Sequence, residues 1–251
     1  MSQISALPRS VVLALWLQAT GASHGLAVRS VTDDDEPHSV VGLPEASALA
    51  DLVSLFTAGP REVCAVLPSP GDPSGVPAPS AASATEAGEC VLVTTSAGSW
   101  AVVPRITLFG SELEPGHLVT WEVTPVPPWS TLLAATAGSL TDAERELRTS
   151  LMTATDALDA LDVGRWRDDA ADAIERVRHS TTAGWPVPDL EGRRARVLQL
   201  AWRLLSIIDL ARVDDGGAVN LWQIDQRSTA LREVERTARR AVAAATYADV
   251  R

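Results

Sequence analysis

The stretch Asp33-Asp34-Asp35-Glu36-Pro37-His38 concentrates four carboxylates and an imidazole within six residues. Asp34, Asp35, Glu36 and His38 have the hard oxygen and nitrogen donors of a cation site, and the run opens like a calcium loop. The resemblance stops at two positions. A calcium loop needs glycine at its sixth residue for a sharp turn and a bidentate glutamate at its twelfth. Here those residues are His38 and Pro44. The cluster therefore reads as a solvated turn and a polar binding epitope, with no metal expected. Asp72 is the second polar candidate. It lies in Pro68-Ser69-Pro70-Gly71-Asp72-Pro73, a loop that directly follows a predicted strand, and loops leaving strand ends often carry ligand sites.

Other chemistries fail on context. Gly21-Ala22-Ser23-His24-Gly25 matches the GxSxG nucleophile pattern. That serine must stand on a strand-to-helix turn above a sheet, and only about twenty residues precede it, so a turn between helices is expected. Glu175 and His179 share a helix face, but a di-iron bundle needs Glu-x-x-His on two helices. The HExxH pattern is absent. Lysine is also absent: all 21 basic residues are arginine. This excludes a P-loop lysine and Schiff-base chemistry. Arg232, Arg236, Arg239 and Arg240 interleave with Glu233 and Glu235, as on a solvated helix face. No catalytic residue and no cofactor is assigned.

The elements behind these residues change character along the chain. Apolar spacing predicts helices over 8–20, 24–31 and 45–57, then strands over 62–67, 90–95, 100–109 and 117–123. A Pro/Gly/Ser-rich loop over 68–80 precedes a short helix at 81–87. From 139 the period becomes helical. Thr141 and Glu144 suggest a capping box. Stripes then follow through Leu147–Leu161, Trp166–Val177, Val197–Ala211 and Leu231–Ala245. The expected fold is α+β. A small, mostly antiparallel sheet of about four strands with flanking helices fills 1–130. An antiparallel bundle of about four helices fills 139–251.

Composition bounds the partners. The chain has 251 residues, 46% hydrophobic and 21% charged, with net charge −11. That balance disfavours nucleic acid and an anionic membrane surface. No apolar stretch approaches the roughly 20 residues of a membrane span. Cys64 and Cys90 fall on predicted strands and read as buried thiols of a reducing cytosol. The run Val11–Leu17 after Arg9 has some signal-peptide character, but it is short, and a cytoplasmic location is expected.

Several stretches act together as a fingerprint: Leu7-Pro8-Arg9-Ser10 before Ala14-Leu15-Trp16-Leu17, Asp34-Asp35-Glu36-Pro37-His38, Pro70-Gly71-Asp72-Pro73, Gly88-Glu89-Cys90-Val91-Leu92-Val93, and Asp214-Asp215-Gly216-Gly217-Ala218-Val219. With them the chain resembles, along nearly its full length, a family of conserved actinobacterial proteins of unknown function. The resemblance implies a bacterial cytosolic origin and carries over no catalytic residue. The expected function is non-enzymatic: a protein-binding or accessory protein whose partner is another protein. The competing expectation is a small-molecule enzyme or ligand-binding protein with its site between the sheet and the loop 68–80.

Overall fold

The computed structural model describes residues 7–111, 115–160, 185–213 and 221–251. The fold is mixed α+β. Helices α1 (Arg9–Gln18) and α2 (His24–Thr32) precede strand β1 (Ser39–Val41) and helix α3 (Leu49–Thr57). Then come β2 (Arg61–Val66), α4 (Ala78–Ala87), β3 (Cys90–Thr95), β4 (Gly98–Gly110), β5 (Pro115–Pro125) and α5 (Ser130–Ala137). Among the described residues three long helices follow, α6 (Leu140–Ala160), α7 (Gly192–Val213) and α8 (Leu221–Thr246), and then β6 (Ala248–Val250).

The sheet has six strands in the order β1-β5-β4-β3-β2-β6. It is larger than the small sheet the sequence suggests. The two added strands, β1 and β6, are three-residue edge strands, too short to show a period of two. β1 runs parallel to β5, and every other pair is antiparallel. β1 also delays α3: Ser47 O accepts from Val40 N–H at 2.9 Å and His38 O from Leu49 N–H at 3.1 Å. Residues 45–48 are tied to that edge, so the helix starts at Leu49 rather than 45.

The chain divides into two compact units. The sheet unit comprises Leu7–Ala137, Pro186–Leu190 and Thr246–Arg251. Its core is built around α1, whose residues Ser10–Leu17 are all buried. A helix apolar on every side must be covered on every side, and α1 packs against β2, β3, α2 and α3. Phe56 of α3 lies on Trp100 of β4 with ring centroids 5.4 Å apart. Trp129 is fully buried and meets Tyr247 edge-on. The stretch between the two expected regions, 131–138, is mostly helical: α5 spans Ser130–Ala137.

The helical unit contains α6, α7 and α8 up to Ala245. The box that starts α6 is Ser139/Asp142, two residues earlier than Thr141/Glu144. Ser139 Oγ accepts from Asp142 N–H at 3.1 Å and donates to Asp142 Oδ2 at 2.6 Å. Glu144 instead pairs with Arg148 and Arg193. On α7, Val197, Leu198, Ala201, Leu204, Leu205 and Ile208 are buried, the wide apolar face its sequence predicts. On α8, Arg239 departs from the solvated face expected of it: it is buried and pairs with Glu235 at 2.8 Å, whereas Arg236 is exposed and pairs with Glu233. The stripe 166–177, Glu175 and His179, and the turn at 214–217 lie outside the described residues.

Candidate functional site

Asp35 is the hub of the acidic turn. It follows α2, which stops at Asp33, a non-glycine residue at φ +51°. The Asp35 side chain is only 7% exposed. Its Oδ2 accepts from Arg9 Nε at 2.7 Å and lies 3.2 Å from His38 Nε2. Its Oδ1 lies 3.0 Å from His117 Nδ1. Burial alone would raise the Asp35 pKa, but the hydrogen bond and charge of Arg9, with His38 and His117 adding, hold it below the ordinary value.

His38 is 3% exposed and receives the indole N–H of Trp121 on Nδ1 at 3.2 Å. An indole nitrogen can only donate. Nδ1 is therefore unprotonated, and the proton of the neutral ring sits on Nε2, facing Asp35. Burial pulls the His38 pKa down, and Arg9 adds to that, against the opposing pull of Asp35. A second buried carboxylate meets α1 close by. Glu89 Oε2 accepts from Ser10 N–H at 2.7 Å, and burial pushes its pKa up against the pull of Ser10 and Arg9. α1 thus begins between two carboxylates, one holding the Arg9 side chain and one the Ser10 N–H.

Of the five residues singled out in the sequence, the structure joins Asp35 and His38. Asp34 and Glu36 are exposed and stay outside the network. Asp72 lies in another loop, where its Oδ1 accepts from Ser74 N–H at 3.0 Å and its backbone pairs with Ser69. Arg9, His117 and Trp121 are the members that sequence reasoning missed. The available signal was phase: His117 alternates in step with Val119, Trp121 and Val123, the buried side of β5. Among the described residues no group of three or more His, Cys, Asp or Glu is placed to hold a metal. Arg9 occupies Asp35 Oδ2, and Trp121 occupies His38 Nδ1. An Asp–His pair can also serve as a base toward a hydroxyl or thiol, but among the described residues none bonds to His117.

His117 connects this hub to an exposed ribbon. β3 pairs with β4 only as far as Val102, and β1 covers only Thr120–Glu122 of β5. Among the described residues, beyond those points β4 and β5 pair only with each other, Ile106↔Val119 through Gly110↔Pro115. Ile106, Leu108, Phe109 and Leu118 of this ribbon are solvent-exposed, Leu108 by 71%. The Phe109 ring lies over Gly116, where any Cβ would collide with it. Arg105 and Glu122 pair at 2.8 Å at the ribbon's base, and His117 stands opposite Leu108.

The described chemistry is thus that of a mixed α+β protein with a buried polar anchor and an apolar surface ribbon. Residues 10–136 match the family model described as Rv1486c-like protein, N-terminal domain, and residues 141–243 the one described as Rv1486c-like protein, C-terminal domain. The chain belongs to the Rv1486c-like family. No curated protein and no solved structure matches it. Among the described residues no helix is long and apolar enough to cross a membrane.

Proposed function

We propose that the chain is a non-enzymatic protein-binding or accessory protein of the actinobacterial cytosol, and that it engages its partner through the β4–β5 ribbon. The supporting observation is the cluster of Ile106, Leu108, Phe109 and Leu118 on a ribbon whose strand edges, among the described residues, are unpaired beyond Val102 and Thr120. Exposed edges invite an added strand, and apolar side chains on the same strands supply the affinity. The rim is polar, with Arg105, Glu122 and His117, as protein interfaces require. The occupant is an extended apolar segment of another protein that pairs with residues 104–110. In the same reading the helical half is an antiparallel bundle of about four helices.

The competing reading, a ligand site between the sheet and the loop 68–80, has less support. Ser74, Gly75 and Val76 are buried in that loop, and a Cβ on Gly75 would press on Thr136 of α5.

The test compares wild type with Leu108→Lys. The substitution alters an exposed side chain, so stability should change by no more than about 0.5 kcal/mol. The wild-type chain should retain a specific partner that the variant releases, with photo-crosslinks mapping to residues 104–110. Equal retention by both proteins, or crosslinks confined to other surfaces, would refute the ribbon reading.

A further inference from the structure

The turn from Ala19 to Ser23, between α1 and α2, lines an open cleft of about 210 Å³. Trp16, Ser23, His24, Val53, Thr57 and Arg61 are among its walls, and all belong to the sheet unit. Arg61 opens β2 and is 7% exposed. Its Nε donates to Leu17 O, and its Nη1 donates to Gly59 O at 2.9 Å and, at 3.5 Å, to Thr57 O. Every one of these acceptors is a neutral carbonyl. Among the described residues Nη2 meets no protein acceptor, and no carboxylate lines the cleft. Burial is the one influence on the Arg61 pKa, and it acts downward. Buried charges are ordinarily paired. In a chain with 32 acidic residues against 21 basic, Arg61 meets no carboxylate among the described residues; Leu17 O and Thr57 O give it only the partial negative charge of the α1 and α3 C-termini.

A second feature points the same way. Ser23 is the N-cap of α2, and its side chain makes no capping bond. The first N–H groups of a helix have no intrahelical acceptor, and they favour an anion. Gly21, at φ +72° with open space where a Cβ would stand, leaves this turn approachable. His24 serves as wall. Its Nε2 is 3.0 Å from Thr57 Oγ1 and its Nδ1 is 3.1 Å from Ser54 Oγ. Thr57 spends its own proton on Val53 O, so it accepts from His24. Both ring nitrogens are engaged, which leaves Ser23 without a base and removes the nucleophile reading of the GxSxG pattern.

We propose that this cleft binds a small oxyanion, the phosphate or carboxylate head of a compact ligand, through Arg61 Nη2, the Ser23 hydroxyl and the N-terminal N–H groups of α2. The cleft shares no residue with the β4–β5 ribbon, so its fate is separate from that of the protein-binding reading.

The experiment titrates the full chain with inorganic phosphate and with acetate against chloride at fixed ionic strength, read by calorimetry and thermal midpoint. At least one of the two anions should bind at a single site and raise the midpoint where chloride does not. Phosphate alone assigns a phosphate head, and acetate alone a carboxylate. Arg61→Gln should weaken binding about ten-fold or more, the scale of one charge-assisted hydrogen bond. Ser23→Asp keeps a good N-cap while placing a carboxylate at the cleft, so a folded variant should lose the response. If neither anion differs from chloride, or if folded Ser23→Asp binds as wild type does, the proposal is overturned.

Discussion

Trp121 donates its indole N–H to His38 Nδ1 at 3.2 Å, and this bond decides where a buried imidazole carries its proton. The consequence is a pH dependence of stability. The His38 pKa in the folded chain lies below its ordinary 6.5. Between those two values the unfolded chain binds a proton that the folded chain refuses, so stability falls as pH drops below about 6.5. Asp35, with its pKa also lowered, adds a loss that begins only below its ordinary 3.8. Between pH 7 and 5 the raised pKa of Glu89 acts the other way, so the prediction is a difference: in urea melts the wild type should lose stability relative to His38→Gln as pH falls. Parallel slopes for the two proteins would refute the assignment.

Thr246 carries a prediction about the sheet. Its Oγ accepts from Ala65 N–H and donates to Ala65 O, both at 3.1 Å, in a fully buried setting. Thr246→Val keeps the shape and strands both backbone groups. Leaving a buried partner unmet costs about 1–3 kcal/mol. Chemical denaturation should register that loss, and coincident curves would show that Ala65 finds other partners.

Two glycines should respond in opposite directions. Gly42 sits at φ +85°, and a Cβ there would run into the Val123 carbonyl. Gly42→Ala combines left-handed strain with a backbone clash and should destabilise by at least about 1–3 kcal/mol. Gly59 has open space around it and no positive φ. Gly59→Ala should be neutral or stabilise by about 0.4–1 kcal/mol, through the unfolded chain. Thermal melts of the two variants side by side make the comparison.

Cys64 and Cys90 are free, buried thiols. Burial pushes the Cys90 pKa far up, so its reactive thiolate is scarce. A thiol reagent should label neither residue in the native chain and both in denaturant. Rapid native labelling would mean that β2 and β3 open locally.

The sheet was readable where the chain supplies long apolar runs. Cys90–Thr95 carries six consecutive β-prone residues, and its bounds coincide with the expected strand. Val197, Leu198, Ala201, Leu204, Leu205 and Ile208 likewise announce a buried helix through spacing alone. β1 and β6 were not readable, because three residues carry no period and their pairing is set by partners far along the chain. Asp35 and His38 were visible as a charge cluster, but what they do was not. Their partners Arg9, His117 and Trp121 come from a helix start and a distant strand, and no local spacing relates them. The cleft was hidden for a related reason. The sequence shows that Arg61 is basic but not that carbonyls alone would surround it.

The long sequence separation between β2 and β6 has a consequence for biosynthesis. β2, at Arg61–Val63, finishes its pairing with Ala248–Val250, and Ala65 finishes its hydrogen bonding with Thr246. During translation, the five strands before these residues emerge early and then wait while α6, α7 and α8 are made. Until residues 246–250 leave the ribosome, β2 presents a bare edge, the condition under which sheets mispair. A nascent chain arrested before residue 246 should therefore be a better chaperone client than the finished protein.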